Sequence, residues 1–88
     1  MAKANKRDFK GAIADYSAAI GEPGIADDVK AMVLYNRALA YSAVHEDAKS
    51  AEDLAAVLQM PRLAPNIKTM AQERRERLRR RSENTYIS

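Results

Sequence analysis

Few side chains of this sequence could take part in catalysis or bind a metal ion. His45 is the only histidine, and there is no cysteine. His45 falls in an expected turn, without the fixed base and orienting group that a catalytic triad needs, so we interpret it as a polar turn residue. Three acidic pairs lie at or near expected helix N-termini, where negative charge favours the helix dipole: Asp27-Asp28, Glu46-Asp47 and Glu52-Asp53. We therefore expect no enzymatic activity, no cofactor and no metal site.

The residues best suited to binding chemistry are arginines near the end of the chain. Residues 61–88 contain eight Lys or Arg and three Glu, a net charge of +5, whereas residues 1–60 have a net charge of −2. Guanidinium groups bind carboxylates and phosphates strongly, so acidic peptides and nucleic acids are both candidate ligands. Nucleic acid is disfavoured because glutamates interrupt the run and no aromatic residue within it could stack on bases. The six arginines are Arg74, Arg75, Arg77, Arg79, Arg80 and Arg81.

These residues must be positioned by helices, because apolar residues recur at spacings of three and four. The pattern predicts four helices, over about 8–21, 28–44, 47–60 and 65–81. Asp8 is the expected N-cap of the first helix, and Asp27 or Asp28 that of the second. Gly21, Pro23 and Gly24 should end the first helix, Pro61 the third, and Pro65 suits a first helical turn. Residues 82–88 are expected to form a disordered tail.

The length of 88 residues predicts one domain, which we place at 1–81. No apolar run reaches the roughly 20 residues that a membrane span needs. The basic N-terminus has no apolar segment after it, so it is not a secretory signal. We expect a cytoplasmic protein that does not attach to membranes.

An internal repeat gives the sequence its organisation. Shifting the chain by 38 residues aligns identical residues in one ungapped register, and the aligned positions include a proline from each turn. A period between 20 and 50 residues is typical of stacked supersecondary units, here two helices and two turns. The matched pairs are Asp15/Asp53, Ala18/Ala56, Pro23/Pro61, Ala26/Ala64, Lys30/Lys68, Met32/Met70 and Arg37/Arg75.

The repeat resembles the tetratricopeptide repeat (TPR) family, in about two copies. Large, small and aromatic residues of its first-helix pattern match Leu34, Ala38 and Tyr41, and its second-helix pattern matches Ala12, Tyr16, Ala19 and Pro23. The resemblance implies an all-α fold of antiparallel helix-turn-helix repeats, stacked as a short right-handed superhelix. The 38-residue period is longer than the family's, and the fourth helix has polar residues where core residues would lie, as a capping helix would.

The resemblance also implies a protein-protein interaction module, a scaffold or adaptor, that holds a peptide or partner protein in a concave groove. Acidic peptides are one class that the arginines would favour. Nucleic-acid binding through the arginine-rich helix and a self-associating structural module remain alternatives. Matching positions place seven residues in the groove: Met32, Tyr35, Asn36, Leu39, Met70, Arg74 and Arg77.

A second candidate surface lies on the first helix. By the family pattern the chain begins on a second helix, so the partner helix of the first repeat is not supplied. An apolar face left without its helix would favour self-association, and a homodimer is one expected outcome. The residues of this face are Phe9, Ile13, Tyr16 and Ile20.

Overall fold

The computed structural model describes the backbone of residues 8–87 and the side chains of residues 8–81. Within this range the fold has no strands and four α-helices: α1 (Phe9–Ile20), α2 (Asp27–Ala43), α3 (Asp47–Leu58) and α4 (Pro65–Ile87). The predicted all-α class and the four predicted helices are confirmed. Helix α4 continues past its expected end at Arg81. The predicted disorder of residues 82–88 falls where no side chain is described, and it stays a prediction.

The helix starts follow local capping chemistry. The Asp8 carboxylate accepts a hydrogen bond from the Gly11 amide at 2.9 Å, which confirms Asp8 as the N-cap of α1. The N-cap of α2 is Ala26 rather than Asp27 or Asp28, because Ala26 is the last residue with extended backbone angles. Both aspartates lie in the first turn of α2, where their charge still stabilises the helix dipole.

Two turns depend on left-handed backbone geometry. Gly24, between α1 and α2, has a φ of 82°, a conformation that costs glycine little. Between α2 and α3, His45 has a φ of 64° although it carries a side chain. The amides of His45 and Glu46 donate to the carbonyl oxygens of Ser42 and Tyr41, which is the Schellman arrangement at a helix C-terminus.

The core is formed where α2, α3 and α4 meet. Ser50 is fully buried, and its Oγ donates to the Ala38 carbonyl oxygen at 2.8 Å, so α2 and α3 approach closely at small residues. Helix α1 contributes no buried residue. The buried apolar cluster consists of Ala31, Leu34, Ala38, Leu54, Val57, Ile67, Ala71 and Leu78.

The helices pack in chain order, α1 on α2, α2 on α3 and α3 on α4, and α2 also lies beside α4. Helices α2 and α3 run in opposite directions, because Arg37 and Ala38 in the second half of α2 meet Asp53 and Ser50 of α3 in reverse order. The molecule measures 45 × 35 × 18 Å, so it is about two helix diameters thick. Each outer helix therefore keeps one side open to solvent.

Candidate functional site

Arg37 of α2 makes polar contacts with two other helices. Its Nε and Nη2 donate to Oδ2 and Oδ1 of Asp53 on α3 at 2.8 and 2.6 Å, and its Nη1 donates to Ser17 Oγ on α1 at 3.0 Å. The guanidinium carbon also lies 5.5 Å from the centroid of the Tyr41 ring. Arg37 thus joins three helices with one side chain.

This cluster is structural rather than reactive. The pKa of Arg37 is raised above its ordinary value, chiefly by the hydrogen bond to Asp53, while burial acts in the opposite direction. Both carboxylate oxygens of Asp53 are engaged, and its side chain is only 7% exposed. The pair therefore holds α1, α2 and α3 in register and leaves no free group for a ligand.

The predicted groove residues fall into two neighbouring depressions. Between α2 and α4, four of the seven predicted residues surround one pocket, which we call the arginine pocket: Tyr35, Met70, Arg74 and Arg77, joined by Glu73. Arg74 is half-buried and Arg77 is exposed. Tyr35 packs against the buried cluster, which fixes one wall of the pocket. The carboxylate of Glu73 was not among the predicted groove residues, and it partly offsets the charge of the two arginines.

The cationic surface continues toward the end of α4. Arg74 and Arg77 also border a second small depression with Ser42, Leu78 and Arg81. Arg81 donates to Asp47 Oδ1 at 2.5 Å and lies 3.4 Å from Ser42 Oγ, so its guanidinium is turned toward α3 and α2. Arg74 and Arg77 are therefore the arginines shared by both depressions.

Predicted groove residues also line a depression between α1 and α2, and we call it the aromatic groove. Asn36 and Leu39 line it together with Phe9 and Tyr16, which sequence reasoning assigned to a separate self-association face. The remaining lining residues are Asp8, Ala12 and Ala40. Part of the predicted end face and part of the predicted groove thus share one surface.

The remaining predicted residues lie closer to the core. Ile20 and Met32 pack against the buried cluster. Ile13 is half-buried on α1. None of these three side chains is fully buried, but the two that touch the cluster act mainly in packing.

His45 is exposed at the turn between α2 and α3. Among the described side chains, no group of three or more His, Asp or Glu residues is placed to hold a metal ion. Within the same part of the chain, every helix is too short or too polar to cross a bilayer.

The Arg37 cluster was missed by sequence reasoning, although a signal for it existed. Arg37 and Asp53 each coincide with an identical residue in the 38-residue register, Arg75 and Asp15. A charged residue that recurs with the repeat period, within otherwise apolar stripes, indicates a role in joining the units.

Comparison with family models, with curated proteins and with solved structures found no match for this chain.

Proposed function

We propose that this chain is a TPR-like interaction module that binds an acidic segment of a partner protein at the arginine pocket. The observation that carries the proposal is the convergence of Tyr35, Met70, Arg74 and Arg77 around one depression. Tyr35 lies on α2, and it is 35 to 42 positions along the chain from the other three residues, which lie on α4. Their meeting gives one surface an aromatic, an aliphatic and a cationic component.

Each component suits one part of an acidic peptide. Arg74 and Arg77 offer planar guanidinium donors that bind carboxylates in pairs of hydrogen bonds. Tyr35 and Met70 offer half-buried apolar surface for the side chains between the acids. Because the side chains stand on packed helices, little conformational entropy is lost when a peptide binds.

The interpretation of the chain as TPR-like comes from the sequence, and the helix packing supports it. The two helices in first-helix positions, α2 and α4, lie beside each other, as stacking of repeats requires. Small residues stand at the close contacts, with Ala31, Ala38 and Ala71 fully buried. A concave surface formed by α2 and α4 would place the arginine pocket at its centre.

A direct test is fluorescence anisotropy with a labelled probe peptide of alternating Leu and Glu. The matched control peptide replaces each Glu by Gln. We expect binding of the acidic peptide only, weakened about tenfold or more by Arg74→Glu because an opposite charge becomes a like charge. The control variant is Lys68→Glu, which makes the same charge change at an exposed position of the same helix.

Circular dichroism of both variants would check that helix content is unchanged. Equal binding of the acidic and neutral peptides, or equal loss in Arg74→Glu and Lys68→Glu, would contradict the proposal. Equal binding of the two peptides would show that the pocket does not recognise negative charge. The second result would show a general electrostatic effect without a defined pocket.

Nucleic-acid binding is the less favoured alternative, because acidic side chains engage the arginines that it needs. Arg79 donates to Glu76, Arg80 Nε lies 4.0 Å from the same carboxylate, and Arg81 is paired with Asp47. Binding of a labelled single-stranded RNA that falls steeply with salt and is lost in Arg80→Glu would favour it instead. Deleting residues 77–88 is a poorer test, because Leu78 belongs to the core.

A further inference from the structure

An open groove lies between α3 and α4. Its floor is apolar and its rim is charged. Leu78 at its base is 7% exposed, and Arg75 and Arg79 on its rim are exposed. We call it the α3–α4 groove, lined by Asp47, Ala48, Ala51, Arg75, Leu78 and Arg79.

The internal repeat shows what a helix in this groove would look like. The 38-residue shift aligns Arg75 with Arg37 and Arg79 with Tyr41. At that earlier position the two side chains are covered by α3: Asp53 pairs with Arg37, and the Lys49 ammonium lies 5.8 Å from the Tyr41 ring centroid. The α3–α4 groove therefore exposes α4 side chains whose repeat counterparts on α2 are covered by α3.

Helix α1 carries the residues of α3 at the same repeat positions. Asp15 coincides with Asp53, and the small residue Ala12 coincides with Ser50, where α2 and α3 approach closely. Helix α1 packs on α2, has no buried residue, and keeps Asp15 exposed. Among the described side chains, neither Asp15 nor Arg75 has an ion-pair partner.

We propose that α1 of a second copy docks in the α3–α4 groove, with its Asp15 paired to Arg75 as Asp53 is paired to Arg37. The contact joins α1 of one copy to the α3–α4 groove of another. One α1 and one groove therefore stay free at the two ends of the assembly. Such a head-to-tail contact can add further copies and forms an open chain rather than a closed dimer. It does not involve the arginine pocket, so it stands independently of peptide binding.

The docking should be weaker than the packing of α3 on α2. Gln72 and Glu76 of α4 stand at the repeat positions of Leu34 and Ala38, so less apolar area is available for burial. Glu76 is also larger than Ala38, which keeps the incoming helix farther from α4. Association is therefore expected to depend on protein concentration.

The test uses two charge reversals, Asp15→Arg and Arg75→Asp, in sedimentation equilibrium over a wide concentration range. The wild type should grow in mass as concentration rises. Each variant alone should associate about tenfold or more weakly than the wild type, because its modified face meets a like charge. Both residues are exposed, so the fold should be unchanged, as circular dichroism would show.

Mixing the two variants is the decisive step. The Asp15→Arg chain keeps Arg75 in its groove, and the Arg75→Asp chain keeps Asp15 on its α1. The mixture should associate again, because each variant offers the other an unchanged partner face. The Asp15→Arg and Arg75→Asp faces are also complementary in charge to each other, so alternating copies can extend the chain. Glu22→Arg and Arg62→Asp, at exposed positions in the turns, are the matched controls and should associate like the wild type.

Three results would overturn the proposal. The first is a wild type that stays monomeric at every concentration. The second is a closed dimer that both reversals leave intact, since this would point to a symmetric contact through another face. The third is a mixture whose two variants fail to pair.

Discussion

The Arg37 guanidinium binds both carboxylate oxygens of Asp53, at 2.6 and 2.8 Å, across the interface between α2 and α3. Because the third nitrogen donates to Ser17, the same side chain also fixes α1. A bidentate pair restricts the rotation and the sliding of one helix on another more than apolar contacts do. Arg37 therefore helps to fix how α1, α2 and α3 are set against each other.

The first prediction concerns the strength of this pair. Asp53→Ala should lower the free energy of unfolding by roughly 2 kcal/mol, because a largely buried guanidinium loses its counter-charge. We place the effect below the upper end for buried pairs, since Arg37 keeps 20% of its side chain exposed. Urea unfolding followed by circular dichroism measures the change.

Glu52→Ala is the control for that variant, because Glu52 is the exposed neighbour of Asp53 on the same helix. A double-mutant cycle with Arg37→Ala isolates the pair itself. If Asp53→Ala and Glu52→Ala cost the same, the pair does not stabilise the fold.

The second prediction concerns pH. Since the folded-state pKa of Arg37 is raised, its contribution is fully present below the unfolded-state pKa and is lost only as pH rises through the folded-state value. Both values lie far above neutrality, so the stability difference between wild type and Arg37→Ala should be constant from about pH 6 to pH 9. Urea unfolding at several pH values checks this, and a difference that shrinks toward pH 9 would contradict it.

The third prediction concerns the close approach of α2 and α3 at Ser50. Ser50→Leu should destabilise the fold by about 2 kcal/mol or more, because the side chain has no space beside the Ala38 carbonyl. Ser50→Ala should cost about 1 kcal/mol, the value of one hydrogen bond. Thermal unfolding measures both, with Ala56→Leu at an exposed position of α3 as control. A stable Ser50→Leu would mean that the helices can separate freely.

The fourth prediction concerns the strained turn at His45. His45→Gly should raise the free energy of unfolding by about 0.5–1 kcal/mol, because glycine adopts a φ of 64° without steric cost. His45→Ala keeps a side-chain carbon in the same conformation, and it should give no such increase. Thermal unfolding compares the two variants. A lower midpoint for His45→Gly than for His45→Ala would contradict the prediction, because it would show that the left-handed conformation costs a residue with a Cβ nothing at this position.

The fifth prediction concerns local stability along the chain. Helix α1 should exchange its amide hydrogens faster than α2 and α3, because it has no buried residue. Asp8→Ala should speed exchange further, through loss of an N-cap worth about 1 kcal/mol. Native-state hydrogen exchange by NMR measures this, with exposed Lys10→Ala as the control. Uniform exchange across the helices would contradict it.

Much of the local structure could be predicted from the sequence. The starts and ends of the first three helices lie within two residues of the predicted bounds, since capping and breaking residues such as Asp8 and Pro61 act locally. The pocket containing Tyr35 and Arg74 was also predicted, but through the resemblance and not through the spacing alone. The distribution of Asn36 and Leu39 into the aromatic groove was not predicted, because it depends on how α1 is rotated against α2.

The sequence by itself determined that the chain forms four helices, which face of each is apolar, and that the units repeat every 38 residues. These properties depend on periodicity and on turn chemistry, which act over a few residues. Only the tertiary structure decided that Arg37 pairs with Asp53 while its repeat counterpart Arg75 stays exposed at an open groove. The reason is physical: a pair that joins helices needs a neighbouring helix to supply the second charge, and such a neighbour is set by packing.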